Sequence, residues 1–393
     1  MSWANVSKES DSIQHPFSLA RILPLGDWRL NRICWTHERE QSGGIFVTKG
    51  MLRFFLGIML ISTAVGLVAS GPALTVNFDP HAGAPTEPSN SYEGFVLVRG
   101  GSFQMGDLWG DGPFAMRELP IHEVRVDDFL MSRFEVTVGE FARFVAATAY
   151  RSVAEVDAGL HPSQAVVREG ETFYPNWRRH WFEQGPDHPV VLIAWEDAIL
   201  YCNWLSRQRG LPPAYDARTG EFLAPDGQTT TDVRRTRGFR LPTEAEWEFA
   251  ARERGRRVRF ANGRDVARAT EINFDAAGAG AAVPSLRLRG NLHPYNEPGQ
   301  TRGRTTPVGS FRPNAVGLYD MSGNAWEWCS DTGGADYREE KQVNPVARGG
   351  KGHVVRGGTY DTDAKACRTS ARIDWGARAL CEASGFRIAL TVD

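Results

Sequence analysis

Gly317-Leu318-Tyr319-Asp320-Met321-Ser322-Gly323-Asn324-Ala325-Trp326-Glu327-Trp328-Cys329-Ser330-Asp331 sets tryptophans, acids and glycines side by side in one short stretch. Neither a helical nor a strand period places large aromatics among Gly, Asn and Asp in this order. The stretch therefore reads as an ordered loop whose carbonyls and carboxylates converge on a hard cation. Asp320, the Gly323 carbonyl, the Ala325 carbonyl and Glu327 alternate along a turn and can put four oxygens on one side, the ligand type calcium prefers. Spacing alone has a plainer and commoner outcome, in which Asp320 caps a turn, Glu327 meets an arginine and the tryptophans are core.

Around this stretch the composition is that of an ordinary globular protein. The 393 residues carry a formal net charge of −2, with 41% hydrophobic and 23% charged residues. That balance implies no nucleic-acid partner. Arginine is concentrated locally, from Arg234, Arg235 and Arg237 through Arg252, Arg254, Arg256, Arg257 and Arg259. With no aromatics interleaved, this run reads as a solvated surface paired with local acids rather than a phosphate-binding patch.

Met51-Leu52-Arg53, an uncharged run from Phe54 to Ser70 and then Gly71-Pro72 together have the build of a secretory signal peptide. Such signals begin at an initiator, so Met51 is expected to be the true start and residues 1–50 an N-terminal over-extension. Residues 51–71 are then the signal peptide. The competing reading, an uncleaved membrane anchor, is permitted by the length of the run. With cleavage, the mature chain has no membrane span and is exported, to the periplasm, cell envelope or medium. Residues 72–91, rich in Pro, Gly, Ala and Ser, read as a linker, and residues 92–393 as the folded domain. Four cysteines fall in that domain, Cys202, Cys329, Cys367 and Cys381, and an oxidising compartment permits disulfides among them in any of three pairings. No local Cys/His spacing builds a zinc or iron site.

Phe95–Val98 and 102–106 read as strands about a Gly100-Gly101 turn. Capping boxes at Thr137/Glu140 and Thr243/Glu246 start two helices, the second closed by Gly255. A third helix spans Trp195 to Arg209 and stops at Gly210, with Cys202 on its apolar face as core packing. Without βαβ alternation or repeats, the fold class is α+β, one domain with little regular secondary structure.

Several segments, in order, carry a resemblance: 100–106, 120–124, Glu135-Val136-Thr137, 189–191, 198–205, 240–248, 306–309, 317–331, Arg356-Gly357-Gly358, Cys367-Arg368 and 385–387. Together they resemble the sulfatase-modifying-factor family, which includes the formylglycine-generating enzymes. The resemblance covers essentially all of the folded part and implies a C-type-lectin-like fold. It also implies, for the formylglycine-generating enzymes, oxidation of a sulfatase cysteine by O₂ with Cu(I) held by two cysteines. The positions that match those cysteines are Thr362 and Cys367, so one of the two soft ligands is a hard, weakly basic hydroxyl. Thr359 matches the family's serine near the oxygen site and Trp326 its active-site tryptophan. For calcium, the resemblance implies Asp320, Gly323, Ala325 and Glu327, and a second site at Asn273 and the Phe274 carbonyl whose acid falls on Gln300.

Two readings of function follow. One is an atypical O₂-dependent oxidoreductase acting on a protein, peptide or metabolite without the standard copper pair, using copper or iron at Cys367 with Thr359 and Trp326. Its raw material is Cys367 flanked by Asp361, Asp363 and His353, and neighbouring carboxylates disfavour a thiolate. The other is a non-catalytic, calcium-stabilised lectin-like module of the cell envelope that recognises a peptide, protein or glycan.

Overall fold

The computed structural model describes residues 92–111, 118–158, 165–168, 170–277, 295–297, 299–334 and 337–392. The over-extension, signal peptide and linker expected at 1–50, 51–71 and 72–91 lie outside the described residues. Among those described, no helix is long and apolar enough to cross a membrane.

Two short strands, β1 (Phe95–Val98) and β2 (Gly101–Met105), precede β3 (His122–Val126) and β4 (Phe129–Ser132). Helices α1 (Val138–Thr148) and α2 (Val153–Val156) lead to the hairpin β5 (Val166–Arg168) and β6 (Glu171–Phe173). Next come α3 (Trp195–Gln208), the hairpin β7 (Phe222–Leu223) and β8 (Thr229–Thr230), and α4 (Glu244–Ala251). The chain ends in β9 (Trp326–Thr332), β10 (Gln342–Val343), β11 (His353–Arg356), β12 (Arg372–Trp375), β13 (Ser384–Gly385) and β14 (Ala389–Thr391). Three small sheets, ordered β1-β4-β14, β10-β3-β2 and β12-β11-β9-β13, replace one large sheet. This is the expected α+β architecture, and its helices are few and short.

The capping boxes form as read. Thr137 Oγ1 accepts from the Glu140 N–H and the Glu140 carboxylate accepts from the Thr137 N–H, and Thr243 and Glu246 repeat the exchange. Helix α4 stops short of Gly255, because Glu253 and Arg254 already take left-handed φ of 50° and 67°. Cys202 is fully buried on α3.

The 317–331 stretch is only half the loop it was read to be. Trp326–Thr332 is strand β9, paired with β11 on one side and β13 on the other. It lacks polar–apolar alternation because it is buried on both faces, so each polar side chain must find a partner inside. Ser330 Oγ donates to the Leu241 carbonyl at 2.9 Å, and Asp331 accepts the Glu244 and Ala347 N–H groups, both at 2.7 Å. Trp326 and Trp328 each meet Trp375 edge to face, with centroids 5.8 and 5.9 Å apart.

Buried ion pairs lock α4 over this sheet. Glu244 receives Arg372 Nε at 2.6 Å and Nη2 at 2.8 Å, and Glu248 is paired with Arg252 and Arg356. The arginine run pairs in part with local acids, as in Arg234–Asp232 and Arg256–Glu253, while Arg259 reaches Asp111 from far along the chain and Arg252 is buried, and tertiary structure supplies the aromatics that the run itself lacks. Arg257 and Arg259 both lie over Trp109, at 4.4 and 4.3 Å. The cysteine pairings that an oxidising compartment permits are not formed. Cys202, Cys329, Cys367 and Cys381 are all free and buried. They are spread over three packing clusters, which keeps all but Cys202 and Cys381 in separate parts of the core.

Candidate functional site

Three segments meet at Gly323 and Asn324. Asn324 donates its N–H to the Asn273 carbonyl at 2.8 Å, and the Gly323 N–H reaches the Gly357 carbonyl at 2.7 Å. A Cβ on Gly323 would stand 2.1 Å from the Asn273 carbonyl oxygen, so this close crossing requires glycine. Asn324, at a left-handed φ of 68°, is the hub. Its Oδ1 accepts from Asn273 Nδ2 at 3.1 Å and from the Thr306 N–H at 2.9 Å, while its Nδ2 donates to Glu135 Oε2 at 3.0 Å.

The four oxygens proposed for calcium are not equally available. Glu327 is fully buried, and both its oxygens are engaged: Arg387 donates Nε to Oε2 at 2.6 Å and Nη2 to Oε1 at 2.7 Å, and Trp247 Nε1 donates to Oε2 at 2.6 Å. Asp320, at φ 58°, accepts the Gly309 N–H through Oδ2 at 2.7 Å. These are the contacts of the plainer reading, a turn acid and an arginine-paired glutamate. Yet the fold adds a third carboxyl group, Glu135, beside Asp320 and Glu327. Burial, then Asp320 and Glu327, push the Glu135 carboxyl well above its usual range, and burial lifts Asp320 to about 6. Among the described residues no three His, Cys, Asp or Glu side chains group to hold a metal ion, so a cation here would draw on the backbone carbonyls and on a Glu327 shared with Arg387. At the second site Asn273 Oδ1 is buried with no hydrogen-bond partner, which suits an oxygen-seeking cation, while the Phe274 carbonyl accepts the Ala276 N–H at 3.0 Å. Gln300, where the resemblance puts the acid, is exposed.

The loop from Gly357 to Cys367 hangs from the same hub, through Tyr360 N–H to the Asn324 carbonyl at 3.1 Å. It brings Thr359, Thr362 and Cys367 together. Thr362 Oγ1 stands 3.6 Å from Cys367 Sγ and accepts the Thr359 N–H at 2.8 Å, and Thr359 Oγ1 donates to Asp361. Cys367 is sealed in a small apolar cluster with Phe260, Phe274 and Tyr295, and burial pushes its thiol up to about 12. One buried protonated thiol beside a hydroxyl does not fit a two-thiolate Cu(I) clamp. Trp326 belongs to the large core around Trp375, and His353 stacks on Trp195 with ring centroids 3.6 Å apart.

Residue-by-residue reading passed over Glu135, Arg387 and Asn324. The Glu-Val-Thr and Gly-Phe-Arg segments held the first two in view, but nothing local shows that a glutamate at 135 and an arginine at 387 close on the same loop.

Known proteins that this chain is similar to share its fold. Its sequence is 32% identical to the formylglycine-generating enzyme of Streptomyces coelicolor, over 72% of this chain and 84% of that one. The structure of PvdO from Pseudomonas aeruginosa superimposes with a TM-score of 0.52 at 25% identity, covering 76% of this chain and 94% of PvdO. Treponema denticola variable protein 1 shares the fold, with a TM-score of 0.52 at 22% identity over 76% of this chain and 95% of that one. The Sulfatase-modifying factor enzyme 1-like domain matches residues 81–392, reaching into the segment read as linker, and the chain belongs to that family.

Proposed function

We propose that this chain is an exported, non-catalytic member of its family, a lectin-like binding or structural module of the cell envelope stiffened by calcium. The observation that carries the reading is Cys367: its thiol is sealed from solvent, held protonated, and faces the Thr362 hydroxyl instead of a second thiol. A thiol in that state is neither a nucleophile nor a soft metal ligand at neutral pH. Calcium would be held by Asp320, the Gly323 and Ala325 carbonyls and a Glu327 shared with Arg387, and by Asn273 and Phe274 at the second site. Bound there, it would neutralise the acidic cluster and pin the Asn273, Gly323 and Gly357 segments to one another.

Kinship supports a second reading. Identity to a formylglycine-generating enzyme, the hydroxyl that Thr359 keeps at the family's serine position and the retained Cys367 favour an atypical O₂-dependent oxidoreductase acting on a peptide or metabolite. Metal analysis of the purified chain after exposure to calcium, Cu(I) and Fe(II) separates the two. The module reading expects stoichiometric calcium, and neither retained copper or iron nor O₂ uptake. Copper or iron bound one to one and lost in Cys367→Ser, or O₂ consumption by the loaded protein, would overturn it.

A further inference from the structure

From 298 to 319 the sequence holds three arginines, Arg302, Arg304 and Arg312, with no lysine and no acid. The backbone of this stretch is pinned from inside. The Thr306 N–H goes to Asn324 Oδ1 at 2.9 Å, the Gly309 N–H to Asp320 Oδ2 at 2.7 Å and the Tyr319 N–H to the Arg133 carbonyl at 2.9 Å, while Asn314 Nδ2 donates to the Ala250 carbonyl at 3.0 Å. The arginines are left outside: Arg302, Arg304 and Arg312 are exposed, and so is Arg133. Among the described residues none of the four has a carboxylate within ion-pair distance. Aromatic rings aim two of them. Arg302 lies over Phe311 at 5.1 Å and donates to the Ala269 carbonyl, and Arg133 lies over Tyr319 at 5.8 Å, whose ring packs on Phe134. Acids close by do not cancel this charge. Asp320 turns inward to the Gly309 N–H, Glu271 is taken by Arg264 and Asn262, and Glu297 by Arg268. Two exposed acids stand at the margin: Asp187, which with Arg304 acts on His188, and Glu93, next to the Gly94 whose carbonyl takes the Arg133 N–H. The surface is cationic on a chain whose net charge is −2.

We propose, building on the lectin-like module reading, that this loop docks a sulfated polysaccharide, its sulfate esters on the outward guanidiniums of Arg302, Arg304 and Arg312 with Arg133 to one side. Guanidinium is a planar, weakly hydrated cation and a sulfate ester a weakly hydrated anion, so each gives up water to the other more readily than an ammonium or a carboxylate does, and the stretch uses arginine alone. A pinned loop loses little freedom on binding. Other polyanions fit this surface less well. A bilayer calls for a projecting apolar side chain, whereas Val308, Phe311 and Val316 are half-buried and Leu318 is buried. Single-stranded nucleic acid calls for open ring faces, whereas Phe311 and Tyr319 are taken up by guanidiniums.

Calorimetric titration of the whole chain with dextran sulfate, neutral dextran, poly-glutamate and a single-stranded oligonucleotide of matched length tests it. Dextran sulfate is expected to bind saturably, about tenfold or more weaker when salt rises from about 50 to about 200 mM. It is expected to bind about tenfold or more tighter than poly-glutamate or the oligonucleotide, and neutral dextran not to bind. Arg302→Gln/Arg312→Gln is expected to lose about tenfold or more while urea unfolding stays as in the parent. Arg207→Gln/Arg218→Gln, the same charge change at exposed arginines of other elements, is expected to bind as the parent does. No binding of dextran sulfate, equal affinity for poly-glutamate or the oligonucleotide, or an equal loss in the two double variants would each overturn the proposal. Metal content is an independent readout: stoichiometric calcium without dextran sulfate binding would remove this ligand and leave the module reading standing.

Discussion

Arg387→Met is the substitution that most directly tests how the acidic cluster is held. Arg387 is fully buried and makes two charge-assisted bonds to Glu327, of 2.6 and 2.7 Å, with others to the carbonyls of Ser132 and Tyr319 at 3.1 and 2.8 Å. Methionine fills much of the volume but leaves Glu327 with Trp247 as its remaining donor and with Glu135 and Asp320 as acidic neighbours. Removing one partner of a buried pair costs about 3–5 kcal/mol, whereas removing both is often close to neutral. Urea unfolding of Arg387→Met, Glu327→Gln and the double variant, in chelator at constant pH, forms the cycle. The double variant is expected to lose less than the sum of the singles, with a coupling of about 2 kcal/mol or more. In millimolar calcium, Arg387→Met is expected to regain more stability than the parent gains, because the uncovered carboxylates then favour the ion. A loss below about 1 kcal/mol for Arg387→Met, or strict additivity, would refute the claim that this pair holds the loop.

Other consequences follow from single contacts. Cys202, Cys329, Cys367 and Cys381 are buried, so native protein at mildly alkaline pH is expected to leave all four unalkylated in a mass-spectrometric time course, and rapid labelling of Cys367 would contradict its sealed position. Gly358 has φ 74°, and a Cβ there would stand 2.6 Å from Cys367 Sγ. Gly358→Ala is therefore expected to lose about 2 kcal/mol or more by denaturation, from left-handed strain and overpacking together. Burial and Glu244 raise Asp331 from 3.8 to about 7. The folded state then holds a proton that the unfolded state releases, so this group's contribution to stability is present below about pH 4 and lost as pH rises to about 7. Asp331→Asn should flatten that part of the stability–pH curve, and an unchanged slope would show that Asp331 does not carry it.

Much of the framework could be read along the chain. Capping boxes at Thr137 and Thr243, the stop at Gly210 and the strands around Gly100 are decided within a few residues, because caps, turns and periodicity are local physics. Strand β9 was hidden for a definite reason. A strand buried on both faces carries no alternation, and its Glu327, Ser330 and Asp331 look like loop residues until their partners arrive from Arg387, Leu241 and Glu244. The calcium-type spacing from Asp320 to Glu327 was equally ambiguous, since an acid in a turn looks the same whether it faces an ion, a backbone N–H or a guanidinium.

By itself, the sequence determined the family, the α+β class and the helix starts, all of which rest on residue identity and short-range order. Only the tertiary structure decided that Glu327 is neutralised by Arg387, that Glu135 joins Asp320 beside it, that Cys367 is sealed against Thr362 while Trp326 serves the core, and that Arg302, Arg304 and Arg312 stay outside while the backbone between them is pinned within. Those facts depend on which distant groups share a low-dielectric interior, where burial and the nearest charge set each group's state.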